Sequence, residues 1–310
     1  MIFGTPISWF INEVFSAVLI LFVLSYISRQ KKPFICGLEL LAYMLGAGVF
    51  ENIGVWGNTY NYSTARVMMF GKVPVAILLV EGAIFYMAFQ LVQKLKLPKW
   101  AMPLGVGFLA SVQDLTLDPA SVYDKHLVLG KLLGQWNWNH HYTGGILGIP
   151  FFNFSGWLTM MLYFTAAILL GRYLSKKINR KWFSVSYPCL AAILMLILIA
   201  SPVNLFLLYG FPFAQMNQKI PELIMLIFNY AVTFSFLTYF VFRAKKVDWK
   251  GSRMVFVTPL VLHIYALINS IVNGINFAIP LIIIVAILHL GYLALIYQKT
   301  KRESDILKTN

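Results

Sequence analysis

The chain has 310 residues, of which 59% are apolar and 12% are charged. A soluble globular chain has about 45–50% apolar and about 25% charged residues, so the composition excludes an ordinary soluble domain and a disordered chain. Its two cysteines, Cys36 and Cys189, are too few for a small secreted module held by disulfides. The net charge of +14 fits either nucleic-acid binding or the basic excess on the cytoplasmic side of a membrane protein.

Long apolar segments predict an all-α, polytopic transmembrane bundle. Each is close to the roughly 20 residues that cross a bilayer as a helix, and they lack the strict alternation of membrane β-strands. We expect a single integral-membrane domain over residues 1–310. The nine predicted spans cover, in chain order, about 7–28, 34–54, 73–93, 99–118, 154–174, 184–210, 221–243, 254–273 and 277–297.

The basic residues predict the orientation of this bundle. Between successive spans they alternate without exception, with 20 of the 25 on one side. The other side holds Arg66, Lys72, Lys125, Lys131 and Lys219. The positive-inside rule makes the 20-residue side cytoplasmic, which predicts an outer N-terminus, an inner C-terminus and a plasma-membrane location. This distribution explains the net charge without a nucleic-acid partner.

Acidic residues at membrane depth are costly and are therefore functional candidates. Six of the eleven acids fall in or at the ends of predicted spans, namely Glu13, Glu39, Glu51, Glu81, Asp114 and Asp118. Asp114 and Asp118 are four residues apart, so they share one helix face. With Glu51 they occupy the outer layer of the bundle, whereas Glu81 lies about midway through span 3. Glu39 is near a cytoplasmic end, where its side chain can reach the interface.

Aromatic and amide side chains are predicted to reach the same outer layer. They follow span 2, occupy the loop after span 4 and begin span 5. The expected substrate-binding residues are Tyr60, Tyr62, Trp136, Trp138, Asn153 and Trp157. Trp157 is also typical of the aromatic belt at a membrane interface, as is Trp56. Trp136 and Trp138 lie in the middle of a loop, which favours a role in the site.

Histidines give no metal-site signal. His140 and His141 are adjacent, so their side chains diverge on a helix or strand, and no cysteine is near them to complete a zinc site. His263 and His289 are expected to form hydrogen bonds inside the bundle. We therefore predict no metal and no cofactor.

Two chemistries suit such an outer pocket. In the first, a poorly solvated carboxylic acid, with Glu51, Glu81, Asp114 and Asp118 as the candidate catalytic residues, protonates an alkene. Aromatic faces stabilise the resulting carbocation, which water or another double bond captures. In the second, paired aspartates hold magnesium and ionise an isoprenyl diphosphate.

Several short motifs between about 48 and 157 carry a family resemblance. They are Glu51 with Gly54, Gly57, Tyr60 and Tyr62; Val73-Pro74; Asp118-Pro119; Trp136-x-Trp138; and the most specific string, from Gly148-Ile149-Pro150 through Asn153-Phe154 to Gly156-Trp157. At these residues the chain resembles the membrane-integral carotenoid biosynthesis family that includes CruF-type carotenoid 1,2-hydratases and bisanhydrobacterioruberin hydratase. Glu81 and the segment His140-His141-Tyr142 depart from the pattern.

The resemblance implies addition of water to the terminal double bond of an acyclic carotenoid. The leading hypothesis is thus a cofactor-independent hydratase, or a related cyclase or isomerase, with an isoprenoid and water as its partners in the bilayer. Asp114 or Glu51 is assigned as the proton donor because both lie deeper than Asp118. One alternative is a magnesium-dependent prenyltransferase of the UbiA type, suggested by the spacing of Asp114 and Asp118. Another is a proton-coupled transporter that uses Glu81.

Overall fold

The computed structural model describes residues 1–139, 144–210, 218–249 and 251–301. Within these ranges the chain forms ten helices and six short strands. The helices are α1 Ile7–Ile27, α2 Pro33–Trp56, α3 Val75–Lys94, α4 Met102–Val122, α5 Phe151–Ile178, α6 Lys181–Ile199, α7 Pro202–Tyr209, α8 Lys219–Arg243, α9 Met254–Val272 and α10 Ile279–Thr300. The strands are β1 Tyr60–Tyr62, β2 Met69–Phe70, β3 Val73–Pro74, β4 His126–Val128, β5 Lys131–Leu133 and β6 Trp136–Trp138.

Eight of the helices in the described ranges are long and apolar enough to cross a membrane. The mostly helical architecture confirms the all-α prediction, and each predicted span overlaps a helix. The segment predicted at 184–210 is two helices, because Pro202 begins a new helix whose first turn is capped by the Ser201 side chain. Two of the ten helices are not among these eight. Helix α7 is too short to cross a membrane, and α4 is long enough but too polar.

Helix α4 is the central element of the bundle and packs against α3, α5, α8, α9 and α10. Every residue of α4 except Leu104, Phe108 and Leu115 is buried. Protein rather than lipid thus surrounds its carboxyl and amide side chains, which explains how so polar a helix is placed in a bundle of apolar ones. Pro119 lies inside the last turn of the helix, which ends at Val122.

Two distant loops pair to cover one end of the bundle. Strand β1 pairs antiparallel with β6, so that Tyr60 faces Trp138 and Tyr62 faces Trp136. Alternate residues of a strand point to the same side, and the ring centroids lie 5.0 Å apart in the first pair and 5.9 Å apart in the second. The four rings form one aromatic layer above the helices.

A buried polar network holds this layer to α1. The Gln135 side chain accepts hydrogen bonds from Asn12 at 2.8 Å and from Arg66 at 3.2 Å, and it donates to Asp124 at 3.0 Å. Burial lowers the pKa of Arg66 to about 10, so the guanidinium stays charged at neutral pH. Its Nη1 atom lies 3.9 Å from a carboxylate oxygen of Glu13, which gives Glu13 a structural role.

The expectation that Glu39 reaches the interface is wrong. Its side chain is buried, and both carboxylate oxygens bind Arg172 of α5, at 2.7 Å from Nε and 2.6 Å from Nη2. The hydroxyl of Tyr187 donates to Glu39 as well. Because a bidentate guanidinium and a phenol satisfy the carboxylate, Glu39 ties α2 to α5 and α6.

Candidate active site

One cavity collects the residues expected to act together. The centre of a water molecule can occupy about 60 Å³ of it, and its lining includes all ten predicted site residues. They are Glu51, Glu81, Asp114 and Asp118 among the acids, and Tyr60, Tyr62, Trp136, Trp138, Asn153 and Trp157 among the others. The structure brings these residues together, while the chemical role of each stays a prediction.

Asn153 links the two aspartates of α4. Its Nδ2 atom donates to Asp114 Oδ2 and to Asp118 Oδ2, each at 2.8 Å. The indole of Trp136 donates to the other oxygen of Asp118 at 2.6 Å. Both oxygens of Asp118 therefore accept hydrogen bonds, whereas within the described part of the chain only one oxygen of Asp114 does.

A tight turn before α5 positions Asn153. Ile146 and Ile149 pair across this turn, and Tyr123 donates to the Leu147 carbonyl at 2.7 Å. At Gly145 the backbone has a φ of +92°, and a Cβ atom would lie 1.8 Å from the Ile149 carbonyl oxygen. Only glycine fits this close approach, which gives the glycine-rich segment before α5 a structural purpose.

Glu51 is held from the opposite side of the cavity. Its Oε2 atom accepts hydrogen bonds from Tyr60 at 2.7 Å and from Tyr62 at 2.5 Å. Burial and the adjacent Glu51 carboxyl raise the pKa of both tyrosines well above the usual value, so they remain neutral donors. A Cβ atom on Gly54 would lie 2.5 Å from the Tyr60 hydroxyl, so this glycine makes room for the contact.

Glu81 lines the same cavity without such support. Its side chain is 1% exposed, and neither carboxyl oxygen has a hydrogen-bond partner among the described residues. An ionised carboxylate buried without a partner is very costly. The uncharged, protonated form of Glu81 is therefore favoured. A proton donor in the cavity would need to be in this form.

The sequence-based prediction missed the contribution of α1 and α9. Asn12 and Phe15 of α1 and Leu262 and Tyr265 of α9 also line the cavity. These residues are ordinary members of apolar helices in the sequence, and only the packing of α1 and α9 beside α3 brings them to the site. Asn12 is one of the few polar residues of the apolar helix α1, which was the signal available for it.

Histidines contribute no metal centre within the described ranges, where no group of three or more His, Cys, Asp or Glu side chains could hold a metal ion. His140 and His141 lie outside those ranges. The prediction for His263 and His289 is confirmed, because both are buried and hydrogen-bonded to each other at 3.0 Å.

Fold and cavity together define a helical membrane protein with an acid-rich, aromatic-lined site, and comparison with known proteins agrees. A family model described as carotenoid biosynthesis protein matches residues 52–216, just over half of the chain. The protein belongs to this carotenoid biosynthesis family, and the matched region contains every predicted site residue except Glu51. No curated protein and no solved structure matches the chain.

Proposed function

We propose that this protein is an intramembrane hydratase that adds water to a terminal carbon–carbon double bond of an acyclic carotenoid. Membership of the carotenoid biosynthesis family implies an enzyme of carotenoid metabolism. The observation that carries the finer proposal is the carboxyl pair of Asp114 and Asp118, bridged by Asn153 and covered by tryptophans in one cavity.

Asp114 is the proton donor in this proposal. One of its oxygens is free of hydrogen bonds to the described residues and lies in the cavity lining. Glu51, the other donor considered, also has one oxygen free of hydrogen bonds to the described residues, but its Oε2 atom accepts two tyrosine hydroxyls, and two donors stabilise the carboxylate form, which has no proton to give. The structure therefore favours Asp114 over Glu51, with Asp118 as the group that orients Asn153 and Trp136.

The reaction moves one proton in and one proton out. The acid of Asp114 gives its proton to the less substituted carbon of the double bond, which leaves a tertiary carbocation and a carboxylate. Water attacks the cation, and the resulting oxonium returns a proton to Asp114. The product is a tertiary alcohol, and the acid is regenerated. No cofactor takes part in the reaction.

The aromatic layer stabilises the intermediate. A cation above the face of an indole or phenol ring gains roughly 0.5–2 kcal/mol, and Trp136, Trp138, Tyr60 and Tyr62 present four such rings. The same cation can also be captured by a second double bond of the substrate. Cyclisation of the substrate is therefore an alternative outcome of the same protonation. Glu81, one of the two departures from the family pattern, is the residue that would favour cyclisation over hydration.

The orientation inferred from charge places this cavity toward the outer leaflet of the plasma membrane. Only 5 of the 25 basic residues lie on that side, and the paired strands that cover the cavity belong to the two loops predicted there. A C-terminal reporter that is active only in the cytoplasm tests this orientation.

The function is tested by producing the protein in a lycopene-making bacterium and incubating its membranes in oxygen-18 water. A product heavier than lycopene by one labelled water supports the hydratase, and an isomer of unchanged mass supports the cyclase. Unaltered lycopene, with the protein present in the membrane, overturns both. Activity abolished by EDTA would favour the magnesium-dependent prenyltransferase instead.

A further inference from the structure

A second cavity lies behind the candidate active site. It lies between α3, α4, α9 and α10 and contains about 20 Å³ that the centre of a water molecule can occupy. Its walls are mostly apolar, with Met87, Leu109 and Leu293 among them. Three polar residues interrupt this wall, namely Gln113, Thr258 and His289.

Each of these three residues has an unpaired polar atom. Gln113 Oε1, Thr258 Oγ1 and His289 Nε2 are buried and have no hydrogen-bond partner among the described residues. The three side chains are no more than 4% exposed. An unpaired polar atom in a dry interior costs roughly 1–3 kcal/mol, so three around one cavity indicate a bound polar molecule.

The rest of the network constrains which of the unpaired atoms donate and which accept. His289 Nδ1 lies 3.2 Å from Gln113 Nε2 and 3.0 Å from His263 Nε2, and His263 Nδ1 lies 3.0 Å from Thr116 Oγ1. If His289 Nδ1 accepts, its Nε2 carries a proton and Gln113 presents an acceptor. If His289 Nδ1 donates, the Gln113 amide is rotated so that its oxygen accepts. The Gln113 amino group is then the unpaired donor, and His289 Nε2 is the unpaired acceptor. Either way the unpaired atoms of the three lining residues are one donor, one acceptor and one hydroxyl.

This combination is the coordination of water. A buried water typically makes about three hydrogen bonds and needs roughly 10–15 Å³ in which its centre can lie, so the 20 Å³ of this cavity holds about one water. The helix also frees a backbone acceptor, because Pro259 has no N–H to donate to the Val255 carbonyl, and both residues line the cavity. No charged side chain is in the lining, so a neutral ligand fits better than an ion.

Leu262 connects this cavity with the candidate active site. Its side chain is fully buried and lines both cavities. On α4, Gln113 of the second cavity is the immediate neighbour of Asp114 of the first. Leu262 thus borders both the cavity with the three unpaired polar atoms and the cavity with the carboxyl pair.

We propose that the second cavity binds water and supplies it past Leu262 to the carboxyl-lined cavity. The supply step rests on the proposed hydration reaction, whereas the binding of water does not. Storage beside the site would keep bulk water away from the carbocation while one molecule is delivered.

Radiolytic labelling tests the binding of water without any activity. Irradiation of the protein in native membranes produces hydroxyl radicals from bound water, and these oxidise adjacent methionines. Met87, which is 1% exposed, lines the second cavity, whereas the equally buried Met160 lines neither cavity. We expect oxidation of Met87 several-fold above that of Met160. Equal oxidation of the two would show a dry cavity and overturn the proposal.

Two cavity variants test whether the oxidation of Met87 depends on the unpaired polar atoms. In Thr258→Val with His289→Leu, Met87 oxidation should fall toward the Met160 level. Thr258→Val alone keeps the side-chain shape and is expected to reduce it partly, which covers a failure of the double variant to fold. The control is Thr159→Val, another buried threonine, which lines neither cavity and donates to Gly156 instead. Unchanged Met87 oxidation in both cavity variants would overturn the assignment.

Supply is tested by the products. The assay is run in heavy water. Protonation of the double bond followed by loss of a proton leaves deuterium in the recovered carotenoid, whereas formation of the alcohol also needs the stored water. We expect the cavity variants to lose about tenfold in alcohol formation, equivalent to about 1.4 kcal/mol in the barrier, with deuterium exchange retained. Alcohol formation equal to that of Thr159→Val would overturn the supply route. If the unsubstituted protein makes no alcohol, the proposed function fails, and Met87 labelling still decides whether water is bound.

Discussion

Asn153 at the start of α5 donates a 2.8 Å hydrogen bond to Asp114 in the middle of α4, and its second amide hydrogen reaches Asp118 at the same distance. The amide therefore donates both of its hydrogens to the same pair of carboxyl groups. Two acids one helical turn apart are held at fixed positions by a residue that comes 35 residues after the second of them.

Replacing Asn153 with leucine should disrupt this arrangement. The leucine is similar in size but donates no hydrogen bond, so two buried acids lose their shared donor, a loss of about 1–3 kcal/mol for each unsatisfied group. We expect weaker thermal stability and a large loss of carotenoid conversion, measured in membranes with matched protein amounts. Full conversion by Asn153→Leu would contradict the role given to the bridge.

Asp114→Asn tests the proton donor directly. General acid catalysis typically contributes about 100- to 10,000-fold, so conversion should fall by about that factor while the amide keeps the side-chain shape. Glu13→Gln is the control, compared at matched amounts of folded protein because Glu13 pairs with Arg66; Glu13 is an acid of α1 that accepts from the Val67 backbone and does not line the cavity. Equal activity of the two variants would exclude Asp114 as the acid.

The two tryptophans of β6 separate hydrogen bonding from cation stabilisation. Trp136 donates to Asp118 at 2.6 Å, whereas Trp138 Nε1 has no partner among the described residues. Phenylalanine keeps an aromatic face at either position. We expect Trp136→Phe to reduce conversion by about tenfold, equivalent to about 1.4 kcal/mol or one hydrogen bond, and Trp138→Phe to reduce it much less. The reverse order would assign the main role to the ring of Trp138.

Tyr62 and Glu51 should behave as one unit. Tyr62→Phe removes a donor to Glu51 Oε2, and Glu51→Gln removes the carboxylate that needs it. Residues in direct contact typically show coupling of about 0.5–3 kcal/mol. We therefore expect the double variant to lose less activity than the two single losses combined. Strict additivity of the initial rates would show that the contact plays no part in the reaction.

Arg172 supports the fold at the opposite end of α5 from Asn153. Its guanidinium binds both oxygens of buried Glu39, and removal of one partner of a buried pair typically costs about 3–5 kcal/mol. Arg172→Leu should lower the unfolding temperature of the detergent-solubilised protein strongly. The product pattern of the fraction that folds should be unchanged, and a changed product pattern would connect this ion pair to the site.

The sequence by itself determined the class of protein and the identity of the candidate residues. Composition and helix-length apolar segments required a membrane bundle because backbone polar groups in a bilayer must be satisfied within each segment. The cost of burying acids then singled out Glu51, Glu81, Asp114 and Asp118. These are local properties, and each can be read from a window of a few dozen residues.

Only the tertiary structure decided which partners those residues have. The pairing of β1 with β6 brings Tyr62 opposite Trp136, and Glu39 meets Arg172 from a helix 133 residues away. Nothing in the sequence indicates that Gln113, Thr258 and His289 line one cavity, or that Leu262 lines both this cavity and the one with the carboxyl pair. Such contacts follow from how helices pack in three dimensions, and a pattern of spacing along one helix contains no information about the neighbour against which it packs.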